Sequence, residues 1–165
     1  MRNAGGLQLT AHGDREIVIT RVFDAPRTLV FDAFTRPELL RRWLLGPPGW
    51  SMPVCEIDLR VGGAYRYVWR NTSDGSEMGM GGVYREILAP ERIVATEKFD
   101  QPWYPGEGVG TIVLVEREGK TTLTQTLLYE SRQAREMVLA SPMERGVAAS
   151  YDRLANLFAG SGTGR

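Results

Sequence analysis

The sequence has few of the residues on which several common protein chemistries depend. It contains one cysteine, Cys55, and one histidine, His12. A single cysteine can form no intramolecular disulfide and no zinc site of the cysteine-rich kind. A single histidine near the N-terminus argues against a serine or cysteine nucleophile that is activated by histidine. We expect His12 to be a solvated tail residue and Cys55 to be a small buried side chain.

The chain also lacks an excess of charge of either sign, since 20 lysine and arginine residues are matched by 20 aspartate and glutamate residues. A net charge of zero argues against nucleic acid as a partner, because that binding depends on a positive surface. No segment approaches the roughly 20 apolar residues that a membrane-spanning helix needs. The first residues lack the apolar middle of a secretion signal, so we expect a cytoplasmic protein without a membrane span.

What is present fits one globular domain. The chain has 165 residues, of which 42% are hydrophobic and 24% are charged. That length suits a single domain with a substantial core. We expect a flexible N-terminal tail at residues 1–13, a folded domain at residues 14–159 and a flexible, glycine-rich tail at residues 160–165.

The spacing of apolar residues predicts the order of the elements. Residues 15–24 are rich in β-branched side chains and predict a first strand. Two short helices follow, one with Pro26 in its first turn and one with a capping box from Thr35 to Glu38. Apolar residues then recur at every second position, which predicts six further strands at residues 54–61, 64–70, 77–88, 92–99, 110–116 and 121–130.

The C-terminal part returns to a helical period. A short helix is predicted at residues 132–139, and a longer one at residues 142–158. The longer helix carries Val147, Tyr151, Leu154 and Phe158 along one face. A strand meander with short loops is antiparallel, and one of its faces must be covered. The pattern therefore predicts an α+β fold, with a curved antiparallel sheet of about seven strands around a long C-terminal helix and two short helices after the first strand.

A curved sheet around one helix leaves a space between them, and aromatic and methionine residues lie on the elements that face it. Plain core packing is the alternative reading of each residue, although four tryptophans are hard to pack in a small domain. Such walls suit a flat or oily ligand better than a charged one. The predicted ligand-binding residues are Trp43, Trp69, Met80, Trp103, Tyr129, Met143, Val147 and Tyr151, with hydroxyl or amide groups of Thr111, Thr122, Thr124, Gln125 and Thr126 to orient the ligand.

Evidence for catalysis is weaker. Glu56, Asp58 and Arg60 share one strand face, which fits either a catalytic carboxylate with an arginine partner or, more simply, ion pairs on the outer face of a sheet. No nucleophile and base stand at a defensible spacing, and no cluster has the spacing of metal ligands. The sequence therefore predicts no cofactor and no metal, and it favours a binding protein over an enzyme.

Several motifs, in order, resemble a known family. They are V-F-D-A-P-R-x-x-V-F-D-A-F-T at residues 22–35, P-E-L-L-x-x-W at 37–43, G-P-x-G at 46–49, E-x-D-x-R-x-G-G-x-Y at 56–65, G-x-Y-x-E-I-x-x-P-E-R-I-V at 82–94 and M-E-x-G-x-x-x-S-Y-x-R-L at 143–154. The set resembles the single-domain bacterial members of the family named for the activator of the 90-kilodalton heat-shock chaperone's ATPase. The resemblance covers about residues 15–159.

The resemblance implies a START-like, helix-grip fold. The START-like superfamily includes lipid carriers, plant-hormone receptors, polyketide aromatase/cyclases and an enediyne-resistance protein. The aromatic and methionine residues of this chain favour binding of a hydrophobic, aromatic or acyl, small molecule. The alternatives are an aromatase/cyclase- or hydrolase-like enzyme that uses the same cavity, and a co-chaperone-like interaction module. The eukaryotic co-chaperone has a further chaperone-binding domain, which we do not expect in a chain of this length. We expect a monomer or a weak homodimer, with a chaperone as the less favoured partner.

Overall fold

The computed structural model describes residues 6–163, which form one antiparallel sheet and four helices. The strands are β1 (Gln8–His12), β2 (Glu16–Phe23), β3 (Trp50–Ile57), β4 (Ala64–Asn71), β5 (Glu77–Leu88), β6 (Arg92–Phe99), β7 (Gly108–Arg117) and β8 (Lys120–Leu128). The helices are α1 (Arg27–Thr35), α2 (Pro37–Leu40), α3 (Arg132–Ala140) and α4 (Met143–Thr163). The spatial order of the strands is β1-β2-β8-β7-β6-β5-β4-β3. The predicted α+β architecture is confirmed.

The sheet has eight strands rather than the predicted seven. The additional strand, β1, lies inside residues 1–13, which we had assigned to a flexible tail. It pairs with β2, and Leu9 lies opposite Ile19. This edge strand is short and mostly exposed. Its pairing depends on main-chain hydrogen bonds, which leave little mark on the sequence pattern. His12 ends the strand and is exposed, with Nδ1 2.9 Å from Oε1 of Glu16.

The C-terminal boundary also differs from the prediction. Helix α4 continues to Thr163, beyond the predicted start of the tail at residue 160. A helix that is already formed extends at little cost, because the unfavourable step is its first turn. Residues 1–5 and 164–165 of the predicted tails lie outside the described residues. None of the helices in residues 6–163 is long and apolar enough to cross a membrane.

Two local predictions need correction. Thr35 does not cap α2, because it is still the last residue of α1, and its hydroxyl group donates to the carbonyl oxygen of Phe31 at 2.8 Å. Strand β3 begins at Trp50 and ends at Ile57, four residues earlier than predicted. The pairing of β3 with β4 shifts between Ser51 and Val54, on either side of a proline that has no N–H group to donate.

Helix α4 packs on the sheet with the predicted face. Tyr151 and Leu154 are buried, and the Phe158 ring contacts the Phe23 ring edge-on, with 5.7 Å between centroids. The Tyr151 hydroxyl group donates to Oε1 of Gln125 on β8 at 2.6 Å. The first half of the helix, from Met143 to Tyr151, lines the cavity.

The glycines of β5 have a steric role. A Cβ atom at Gly82 would overlap the carbonyl oxygen of Thr96 on β6, and one at Gly81 would lie 2.9 Å from the carbonyl oxygen of Tyr65 on β4. The register of β5 with β6 shifts further along the strand, between Tyr84 and Glu86. The glycines therefore let three strands approach closely where the sheet forms the cavity wall.

Candidate functional site

A cavity of about 740 Å³ lies between the concave face of the sheet and helix α4. Its wall is formed by residues from strands β2 to β8, from all four helices, from the segment that follows α2 and from the loop between β6 and β7. The volume is within the range of small-molecule sites, roughly 300–1,000 Å³.

All eight residues predicted to bind the ligand line this cavity. Their burial differs, since Trp43, Tyr129 and Tyr151 are buried and Trp103 is 37% exposed. The other four, Trp69, Met80, Met143 and Val147, are partly buried. Their contact with a ligand stays a prediction.

Two of the tryptophans also have structural roles. The indole N–H group of Trp43 donates to the carbonyl oxygen of Ala33 at 3.0 Å, and that of Trp69 donates to the carbonyl oxygen of Leu44 at 2.8 Å. Both bonds satisfy a donor that would be costly to bury alone. Plain core packing, the alternative reading at the sequence level, therefore describes part of what Trp43 and Trp69 do.

The aromatic rings form two clusters on the sheet side of the cavity. The first, the β4/β5 cluster, joins Tyr84, Tyr65, Tyr67 and Trp69, with centroid separations of 4.9 to 5.8 Å. The second, the loop cluster, joins Phe99, Trp103, Tyr104 and Tyr129, with separations of 4.9 to 6.3 Å. All eight side chains line the cavity.

Most of the tyrosine hydroxyl groups in these clusters are free of protein partners. Tyr65 donates to the carbonyl oxygen of Thr96 at 2.6 Å. Within residues 6–163, the hydroxyl groups of Tyr67, Tyr84, Tyr104 and Tyr129 make no hydrogen bond. Burial raises the pKa of each, in the case of Tyr104 to about 12, so all are neutral phenols near pH 7. They can donate and accept hydrogen bonds, but they are poor bases.

Glu97 is a cavity residue that the sequence analysis missed. It lies on β6, on the same face as Ile93, Ala95 and Phe99, and all four line the cavity. Its carboxylate lies over Gly110 of the neighbouring strand, where a Cβ atom would come within 2.5 Å of Oε2. A glutamate at an inward position of an alternating strand was the signal that could have identified it.

The electrostatic environment of Glu97 is unusual for a carboxylate. Burial raises its pKa to about 7, and no neighbouring charge contributes to the rise. The carboxylate has no hydrogen bond or ion pair with any residue in the described part of the chain. Its charge in turn raises the pKa of Tyr65 and of Tyr104, after the larger effect of their own burial.

Helix α4 and the segment that follows α2 are connected by hydrogen bonds beside the cavity. The Gly46 N–H group donates to Oγ of Ser150 at 2.8 Å. Nη1 of Arg153 lies 3.2 Å from the carbonyl oxygens of Trp43 and Gly46. Arg145, which is exposed, lines the cavity nearby. This part of the cavity wall is therefore held together by hydrogen bonds between backbone groups and the side chains of Ser150 and Arg153.

Other predicted polar groups do not reach the cavity. Thr111, Thr122, Thr124 and Thr126 lie outside its wall, since they alternate with the inward residues of their strands. Gln125 does line it, and its side chain accepts the bond from Tyr151.

The charged triplet near the end of β3 also lies outside the cavity. Glu56, Asp58 and Arg60 are exposed, and Nε of Arg60 lies 2.9 Å from Oδ2 of Asp58. Cys55 is buried, and that burial raises its pKa to about 11, which makes it a poor nucleophile. Within the described residues, no group of histidine, cysteine, aspartate and glutamate side chains could hold a metal ion.

Comparison with known proteins agrees with this architecture. The family model described as Activator of Hsp90 ATPase homolog 1-like protein matches residues 24–159. Among curated proteins, none matches the sequence.

Solved structures of several proteins are similar over nearly their whole length. A crystal structure from Rhodobacter sphaeroides is 29% identical, covers 93% of this chain and 98% of its own, and has a TM-score of 0.88. One from Chromobacterium violaceum is 31% identical, with 87% and 96% covered and a TM-score of 0.74. A protein from Plasmodium falciparum, described as an HSP90 activator, is 22% identical, with 81% and 91% covered and a TM-score of 0.58. At that identity the last comparison shows the fold alone.

Proposed function

The chain belongs to the family of Activator of Hsp90 ATPase homolog 1-like proteins, which has a START-like fold, and we propose that it binds a hydrophobic small molecule in its internal cavity. The ligand is aromatic or acyl, because the wall is formed mainly by aromatic, methionine and aliphatic side chains. The observation that carries the proposal is the open volume of about 740 Å³ inside the domain, where a protein of this size would otherwise pack its core.

Entry of the ligand is proposed to involve the loop between β6 and β7. This loop carries Trp103, whose ring contacts Tyr104 and Phe99, with 4.9 and 5.8 Å between centroids. Trp103 lines the cavity and is also 37% exposed, so it lies between the interior and solvent. Loops of this kind can act as lids. Trp103 would then close over the bound ligand as an aromatic latch.

The two alternative functions differ in their support. An interaction module would be expected to have a filled core, and the cavity counts against that reading. An enzyme needs an acid or base in the cavity, and Glu97, with its pKa raised to about 7 by burial, meets that requirement. Acid–base catalysis in the same cavity is therefore the second candidate function. The proposal of a chaperone partner is supported by the family match and by the fold shared with the HSP90 activator.

A ligand screen tests the proposal. Fatty acids, flavonoids and polycyclic aromatic compounds are added to the protein, and the melting temperature and tryptophan fluorescence are recorded. A ligand at about 100 times its Kd stabilises the folded state by about 2.7 kcal/mol. For a chain of this size, that corresponds to a rise in Tm of roughly 5–10 °C. Because four tryptophans are present and three of the predicted site residues are tryptophans, binding should also change the fluorescence.

Matched variants give the screen its control. Met143→Trp places a larger side chain in the cavity and should abolish binding with the fold intact. Leu88→Trp introduces a tryptophan at an exposed position of β5 outside the cavity wall and should leave binding unchanged. Trp103→Ala should weaken binding by opening the lid. If no compound raises the Tm of the wild type, the proposed function is wrong.

A further inference from the structure

The cavity contains one carboxylate among many rings. Of the charged side chains in the described part of the chain, Glu97 and Arg145 line the cavity wall. Arg145 is exposed. Neither Arg145 nor any other cation contributes to the pKa of Glu97, which is set by burial alone. Glu97 is therefore a carboxylate that lines the cavity, is partly exposed, and has no counter-charge in the described part of the chain.

A carboxylate among apolar side chains and without a cationic partner lowers the stability of the fold, because it loses hydration. Carboxylates elsewhere in this protein form ion pairs. Arg66 and Asp100 form a two-fold hydrogen-bonded pair at 2.9 and 2.6 Å, and Arg70 pairs with Glu77 at 2.7 Å. Both of those pairs are exposed. Glu97 has the greater need of a partner, because its carboxylate is partly desolvated among the apolar and aromatic side chains of the cavity. A partner that arrives with the ligand would supply the missing positive charge.

The rings around Glu97 favour the same kind of partner. Its charge acts on Tyr65 and Tyr67 of the β4/β5 cluster and on Tyr104 and Tyr129 of the loop cluster, so it lies within electrostatic reach of both. Aromatic faces attract cations through their quadrupole, and most strongly when the cation is desolvated. The free hydroxyl groups of Tyr67 and Tyr129 are further acceptors for an ammonium N–H group.

We propose that the ligand of this cavity is an organic amine, whose ammonium group binds the Glu97 carboxylate between the β4/β5 cluster and the loop cluster and whose apolar part fills the remaining space. The inference rests on the proposed function and makes it more specific. An anionic ligand in the same position would be repelled by Glu97. A neutral alcohol would form one hydrogen bond and leave the charge uncompensated.

Three compounds with one skeleton test the inference by calorimetric titration near pH 7.5. These are 4-biphenylmethylamine, which is cationic, 4-biphenylmethanol, which is neutral, and 4-biphenylcarboxylate, which is anionic. We expect the amine to bind the wild type at least about tenfold more tightly than the alcohol, and the carboxylate to bind most weakly. Equal or tighter binding of the alcohol or the carboxylate would overturn the inference and leave the proposed function standing.

Variants show whether Glu97 is responsible. Glu97→Gln keeps the shape and removes the charge, so the amine should lose at least about tenfold in affinity while the alcohol changes by less than about threefold. Glu97→Met is a second unbranched replacement, used if the glutamine variant does not fold. Glu56→Gln is the matched control, because Glu56 is exposed on β3 and lies outside the cavity.

The remaining outcomes are also decisive. If Glu97→Gln binds the amine as well as the wild type does, the ammonium lies elsewhere and the inference is wrong. If none of the three compounds binds the wild type, the inference is again overturned. In that case the broader ligand screen decides whether the proposed function fails with it.

Discussion

Glu97 shows how one residue can conflict with the pattern around it. Strand β6 alternates apolar inward residues, and Glu97 takes an inward position between Ala95 and Phe99. The absence of a side chain at Gly110 leaves room for its carboxylate, which a Cβ atom would approach to 2.5 Å. A charge in an apolar wall lowers the stability of the empty protein, so its presence there is better explained by a ligand than by folding.

The free energy of unfolding of the protein should depend on pH through the ionisation of Glu97. Its pKa is about 7 when folded, against an ordinary value of 4.5. Below pH 4.5 both the folded and the unfolded chain hold the proton. Between the two values the unfolded chain has released it, so the free energy of unfolding falls as the pH rises. Well above pH 7 both states are ionised, and the decrease in the free energy of unfolding no longer changes with pH.

We predict that Glu97→Gln, which mimics the protonated side chain, raises the free energy of unfolding, and that this increase depends on pH. The free energy of unfolding of the variant should exceed that of the wild type by about 2 kcal/mol more at pH 8 than at pH 5, since one pKa unit is about 1.4 kcal/mol. Urea denaturation at both pH values measures it. A difference that is constant with pH would show that Glu97 ionises as it does in water.

At the scale of elements, helices and strands with a regular spacing of apolar residues were predicted correctly, and those without one were not. The seam on α4 and the two-residue period of β4 to β8 predicted the helix and the strands that meet around the cavity. Strand β1 was missed because five mostly exposed residues have no strong alternation and depend on pairing with β2. The capping box at Thr35 failed because the preceding helix continued through it, a competition that local spacing does not reveal.

The packing of α4 on the sheet gives a graded prediction. Leu154 is fully buried, and Leu154→Ala should lower the free energy of unfolding by about 2–5 kcal/mol. Phe158 is only partly buried near the end of the helix, so Phe158→Ala should cost less than the 3–5 kcal/mol typical of a buried phenylalanine. Asn156→Ala on the exposed side of α4 is the control and should change stability by about 0.5 kcal/mol or less.

Urea denaturation of these three variants separates the faces of the helix. Equal effects at Leu154 and Asn156 would contradict the packing of α4 on the sheet. If Leu154→Ala lowers the free energy of unfolding and Phe158→Ala does not, the close packing of α4 on the sheet ends before Phe158.

At the scale of the molecule, the sequence predicts the cavity, because a sheet curved around one helix leaves a space. The sequence does not predict every residue that lines that space. The eight predicted residues all line it, because bulky aromatic and methionine side chains on converging elements have few other places to lie. The threonines were wrongly included because the inward face of β8 belongs to Leu123, Gln125 and Leu127. Glu97 was overlooked because it is a single charged residue on an otherwise apolar strand face, and only the side-chain geometry shows that its carboxylate lies over Gly110 of the neighbouring strand.

The central claim is that the cavity holds the ligand, and the methionine methyl groups can report it directly. Met80 and Met143 line the cavity, whereas Met52 is buried elsewhere and Met137 is exposed on α3. The measurement is a ¹H–¹³C NMR titration of methyl-labelled methionine with 4-biphenylmethylamine and 4-biphenylmethanol. We predict that the Met80 and Met143 resonances shift on binding while that of Met52 stays in place. A shift confined to Met137, which lies beside the Trp103 loop, or no shift with either compound, would contradict the account.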